Sequence, residues 1–123
     1  MDLFLDTLPY NAGTTASDAL WVGLPVLTCT GEALAGRVAA SVLRAVHLPE
    51  LITVTPEQYE ELAVRLATDP ELCAKIRIKL AGNRALAPLF DTASFTKNLE
   101  YAFGKIYERH HASLPPEHIY PEL

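Results

Sequence analysis

Asn11-Ala12-Gly13-Thr14-Thr15 brings together groups that can bind a phosphate without a metal or a lysine. A glycine lets a ligand approach the main chain closely, and two adjacent threonines add hydroxyl and amide donors. If a helix opens here, its first amides are unpaired and carry partial positive charge, which suits a diphosphate. The same spacing also suits a cap, with Thr14 or Thr15 closing the helix start and Asp18 completing a capping box that begins at Thr15. Capping and phosphate binding are compatible, and the spacing leaves both open. Asp18 lies one turn into such a helix, where its carboxylate favours the helix dipole or can accept from ribose hydroxyls.

Other chemistry is thinner. Gly31-Glu32 is either a second loop towards the same ligand or a plain turn, and Arg37 either reaches an anion or pairs on the surface. Paired carboxylates for hydrolysis, a Ser/His/Asp order, a Walker A loop and a GxGxxG are absent or unsupported, so no catalytic residue is assigned. Cys29 and Cys73 have no CxxC spacing and read as reduced thiols in or near the core. His110, His111 and His118 crowd a helix end and a proline-rich tail, which reads as solvated, so no metal site is expected.

The elements that must hold these residues alternate. Apolar or β-branched runs at 2–6, 25–29 and 51–54 read as short parallel strands. Between them, helices are expected at 15–22, ended by Gly23, and at 33–46, with Leu34, Val38, Val42 and Val46 on the packed face. Thr55-Pro56-Glu57-Gln58 is an N-cap, a proline at the first helical position and a capping-box glutamine, opening a helix that buries Tyr59, Leu62, Ala63 and Leu66. Asp69-Pro70 repeats the device, with Leu72, Ile76 and Leu80 inward and a basic face of Lys75, Arg77, Lys79 and Arg84 in solvent. A last helix over 93–110 carries the stripe Phe95, Leu99, Ala102, Phe103 and Ile106, before Pro115, Pro116 and Pro121 mark an irregular tail.

Strand, helix, strand, helix, strand and three helices is the order of a parallel α/β architecture. Three strands are few for a doubly wound sheet with two comparable halves, so the chain reads as the second half. The 123 residues are 50% apolar and 20% charged, which fits a globular domain. Fifteen acidic residues against ten basic ones offer no footprint for nucleic acid or an anionic membrane. No run approaches the roughly 20 apolar residues that span a bilayer, and Met1 is followed by Asp2 rather than a basic signal start; a cytoplasmic location is expected.

The run LDTLPYNAGTTASDALWVGLPVLT over 5–28, followed by GEALAGRVAAS over 31–41, resembles the C-terminal catalytic region of the O-linked N-acetylglucosamine transferases, bacterial members especially. The similarity continues through Glu57-Gln58-Tyr59-Glu60 and Pro88-Leu89-Phe90-Asp91. This resemblance implies the C-terminal half of a Rossmann-like GT-B nucleotide-sugar domain over residues 1–112, with an irregular proline-rich tail over 113–123. It also implies UDP-N-acetylglucosamine as donor, inverting transfer to protein Ser or Thr, and no cofactor or divalent metal. In the family the positions matching Thr14 and Thr15 bind the diphosphate, with Gly13 beside them, and the acid matching Asp18 binds the ribose. Many members have a histidine at Gly13, so one side-chain contact is missing here. The family's catalytic lysine, the histidines of its N-terminal lobe, its uracil-gripping segment and its tetratricopeptide repeats have no counterpart in these residues. The implied protein is therefore a donor-binding segment, inactive alone, that meets protein acceptors only through other regions and pairs with a partner lobe; an interaction domain or a truncated remnant is the alternative.

Overall fold

Three short apolar runs form the strands β1 (Phe4–Leu5), β2 (Val26–Cys29) and β3 (Ile52–Thr53) in the computed structural model, which describes residues 2–120. They pair in parallel in the order β1-β2-β3, with Phe4 opposite Val26 and Thr28 opposite Ile52. All four residues of β2 are buried, as a central strand covered on both faces requires. The helices are α1 (Thr14–Trp21), α2 (Val38–Ala45), α3 (Pro56–Thr68), α4 (Pro70–Arg84) and α5 (Thr92–His111), with 3₁₀ turns at Leu34–Gly36, Pro49–Leu51 and Pro88–Phe90. This is the α/β architecture that the sequence pattern predicts.

The described residues form two compact units, divided between Phe90 and Asp91. In the first, one core gathers Leu20 of α1, Val26 of β2, Leu43 of α2, Leu51, Leu66 of α3, and Ile76 and Leu80 of α4. Local signals set the helix ends. Thr55 Oγ1 accepts the Gln58 amide at 3.2 Å and Asp69 Oδ1 accepts the Leu72 amide at 3.0 Å, so both expected caps form. At the end of α1, Gly23 has a φ of 85° while the Gly23 amide reaches Leu20 O and the Leu24 amide reaches Ala19 O, a Schellman closure. His47 takes the same role after α2 with a φ of 58°, bonding Arg44 O while Leu48 bonds Leu43 O.

The expected helix over 33–46 does not run through. Residues 34–36 form a 3₁₀ turn and α2 starts only at Val38, because this turn's carbonyls are committed elsewhere: Ala35 O accepts the Asn11 amide at 2.8 Å and Gly36 O accepts the Gly31 amide at 2.7 Å. The buried face therefore shifts to Ala39, Ala40, Leu43 and Val46, and Leu34 is left 84% exposed. The basic face of α4 is largely exposed, as expected, and also makes contacts. Arg77 pairs with Asp2 at 3.2 Å, Lys79 with Glu50 at 2.6 Å, and Arg84 donates to Trp21 O at 2.5 Å while lying over its ring. Such exposed pairs contribute about 0–1 kcal/mol each, and here they tie α4 to three other segments.

In the second unit Asp91 caps α5, its Oδ1 accepting the Ser94 amide at 3.0 Å. A third Schellman closure at Ser113, with a φ of 55°, ends the helix. Beyond it Arg109 donates to Pro115 O at 2.6 Å and pairs with Glu117, holding an irregular segment over 114–120. Pro121, placed in the tail by the sequence pattern, lies outside the described residues. None of the described residues of α5 is buried: its apolar stripe is present but uncovered, with Phe95 at 64% and Phe103 at 60% exposure.

Candidate functional site

β1 delivers the chain to Asp6, a carboxylate only 6% exposed. Its Oδ1 accepts the Ala12 amide at 2.7 Å and its Oδ2 accepts the Thr28 hydroxyl at 2.6 Å, so the loop over 7–13 is closed back onto the strand ends. The Asp6 carbonyl accepts the Tyr59 hydroxyl from α3 at 2.7 Å. Burial, and then the nearby Asp6 carboxylate, push the Tyr59 phenol above its usual range. Within the loop, Asn11 is 2% exposed; its Nδ2 donates to Thr7 O at 2.9 Å, while Oδ1 has no partner.

The loop over 30–36 buttresses the first one. A Cβ added at Gly36 would stand 3.2 Å from Gly31 Cα and 3.3 Å from Pro9 O, so a side chain here would push the two main chains apart by a few tenths of an ångström, which glycine avoids. Of the two readings of Gly31-Glu32, the packing favours the turn: Gly31 is held by Gly36 and lies against Leu8.

α1 starts from this braced loop. Its N-cap is Gly13, whose carbonyl accepts the Ser17 amide at 3.1 Å, and no side chain caps it. The capping box expected from Thr15 to Asp18 is thus not formed. The helix begins one residue earlier, which puts Thr14 and Thr15 inside its first turn, where their hydroxyls do not serve as the cap. The first turn carries no acidic residue, and the amides at its first two positions lack intrahelical acceptors. The partial positive charge of the helix start therefore has no carboxylate of its own to offset it.

Along β1 and the loop that follows it lies an open cavity of about 380 Å³, lined by Phe4, Leu5, Asp6, Tyr10, Asn11, Gly13 and Thr15 among others. Of the four residues expected to bind a ligand, Gly13 and Thr15 line this cavity. Thr14 is exposed beside them at the helix start, and Asp18 is exposed one turn along α1, outside the lining. Asp6 was missed by sequence reading, which takes it only as the end of the run over 2–6. Its signal is a carboxylate directly after an apolar run and a few residues before a Gly-Thr-Thr loop. Among the described residues no three of His, Cys, Asp and Glu gather as a metal-holding group, and no helix is long and apolar enough to cross a membrane.

Known proteins share this sequence and fold. The sequence model described as glycosyl transferase family 41 matches residues 1–99. A UDP-N-acetylglucosamine–peptide N-acetylglucosaminyltransferase of Caenorhabditis elegans is 39% identical over 118 residues, covering 96% of this chain and 10% of the relative. A probable enzyme of the same name from Petunia hybrida, SPINDLY, is 37% identical over 89% of this chain and 12% of its own length. Among solved structures, a mutant O-GlcNAc transferase of Thermobaculum terrenum superposes with a TM-score of 0.82 at 39% identity, covering 87% of this chain and 21% of that one. The chain thus spans about a tenth of the length of the curated relatives it matches.

Proposed function

The chain belongs to glycosyl transferase family 41, and from that premise we propose that it is the C-terminal donor-binding segment of a protein O-GlcNAc transferase-like enzyme, not active alone. Its ligand is UDP-N-acetylglucosamine, with the diphosphate at Gly13, Thr14 and Thr15 and the ribose at Asp18. The observation that carries this reading is the uncapped start of α1 beside the cavity along β1 and its loop. Amides fixed by a braced loop bind an oxyanion without reorganising when charge develops. During transfer, an acceptor hydroxyl attacks the anomeric carbon from the face opposite the diphosphate, inverting that centre. The bond to the diphosphate breaks, and the negative charge gathers on the leaving UDP. The amides and hydroxyls of Thr14 and Thr15 stabilise that charge, so the step calls for no divalent metal. This chain supplies no assigned base; the acceptor, its proton and the base belong to regions outside it.

The test is an amide-resolved NMR titration of the chain with UDP and UDP-N-acetylglucosamine, without added metal. Saturable shifts centred on Gly13, Thr14, Thr15 and Asp18 are expected. A well-dispersed spectrum with no shifts there removes the site.

A second reading, an interaction domain that joins a partner lobe, is favoured by the sheet edge. β1 is an outer strand and Leu5 is 54% exposed, the form of an edge that accepts another strand. Light scattering after size exclusion separates the two, since a stable, soluble monomer counts against the partner-dependent reading.

A further inference from the structure

We infer that Asp6 is a positioning residue for the diphosphate loop: its carboxylate clamps Ala12 to Thr28 so that the amides of residues 13–15 converge on one anion. The inference rests on the reading of those residues as the diphosphate site. Thr28 sits at 0% exposure in the central strand, and Ala12 is the last residue before the helix cap. One carboxylate thus carries the rigidity of the sheet to within two residues of the helix start. Both of its side-chain partners are neutral donors, an amide and a hydroxyl, which makes Asp6 a double acceptor rather than half of an ion pair. With both oxygens engaged by protein donors and its side chain buried, its part in the site is to hold the loop. From the other side, the Tyr59 hydroxyl holds the Asp6 carbonyl, so the clamp is itself anchored to α3. Removing the clamp leaves the loop its internal bonds, the main-chain bond from Asn11 to Ala35 and the junction with α1 through Gly13 and Ser17. A loop held that loosely must be ordered by the ligand, and affinity falls accordingly.

The experiment measures Ala12 amide hydrogen exchange and UDP affinity in the full chain carrying Asp6→Ala, Asp6→Asn or Thr28→Val. Asp6→Ala is expected to speed Ala12 exchange and weaken UDP binding about tenfold each. Asp6→Asn should restore both to within about threefold, because the amide oxygen still accepts from Ala12 and the Thr28 hydroxyl can turn to accept from the new NH₂. A folded Asp6→Ala chain with unchanged Ala12 exchange and UDP affinity overturns the role, as does a folded Asp6→Asn chain as impaired as the alanine variant. Should Asp6→Ala fail to fold, Thr28→Val decides: faster exchange with weaker binding supports the clamp, and unchanged values overturn it. If the wild-type chain shows no UDP shifts at residues 13–15, the diphosphate reading fails by itself; unchanged Ala12 exchange in the folded variants overturns the clamp in either case.

Discussion

Gly13 can accept a side chain where it stands. Its φ is negative, at −102°, and beyond its chain neighbours an added Cβ would meet only Val38 Cγ1, at an ordinary 3.6 Å. Gly13→His is therefore expected to fold normally and, on the diphosphate reading, to tighten UDP-N-acetylglucosamine binding about tenfold through one charge-assisted hydrogen bond. Isothermal titration of both chains checks this. Tyr59 gives a pH test. Its folded pKa lies above the ordinary 10.0, so the unfolded chain releases that proton first as pH rises. Its stabilising contribution is complete below pH 10 and is lost as pH climbs through the folded value. Urea unfolding from pH 9 upwards should show a steeper loss in the wild type than in Tyr59→Phe, and parallel curves would contradict the assignment.

At the level of elements, the ends of the helices are where local geometry is most exposed to single changes. His47 occupies a left-handed position that costs a residue with a Cβ about 1 kcal/mol or more. Replacing it with glycine should stabilise the first unit by about 0.5–1 kcal/mol, since the greater freedom of unfolded glycine offsets part of the relief. Thermal and urea melts will show whether the midpoint rises. The caps at Thr55 and Asp69 were legible because each is a short-range pattern of oxygen acceptor, proline and amide. The break before α2 was not, because its cause is long-range: carbonyls of residues 35 and 36 are drawn to amides 24 and five residues earlier in the chain. The start of α1 illustrates the same limit within the site. Gly13-Thr14-Thr15 marked the start of a helix, yet two threonines and an aspartate also read as a cap, and the loop braced by Asp6 and Gly36 leaves that helix start without a side-chain cap.

Across the whole molecule, burial is unevenly shared between the two units. Among the described residues, every member of the apolar core precedes Asp91, whereas α5 presents a stripe of large side chains to solvent. Leu43→Ala should cost about 2–5 kcal/mol by opening a cavity in that core. Phe103→Ser should change stability by no more than about 0.5 kcal/mol, as expected at an exposed position, and should raise solubility. Chemical denaturation of the two variants, with precipitation thresholds, checks the contrast. The three short parallel strands and the helical C-terminus were legible from the pattern of apolar runs, but that pattern records only that a stripe is apolar, not whether this chain covers it. The uncapped start of α1 bears on how such a site drifts over evolutionary time. Main-chain amides are common to every residue type but proline, so contacts made by them leave little imprint on which side chains are retained. On the diphosphate reading, alanine scanning would register the hydroxyls of Thr14 and Thr15 and pass over the amides. A site of this kind is better mapped through the residues that hold the backbone in place than through those that touch the ligand.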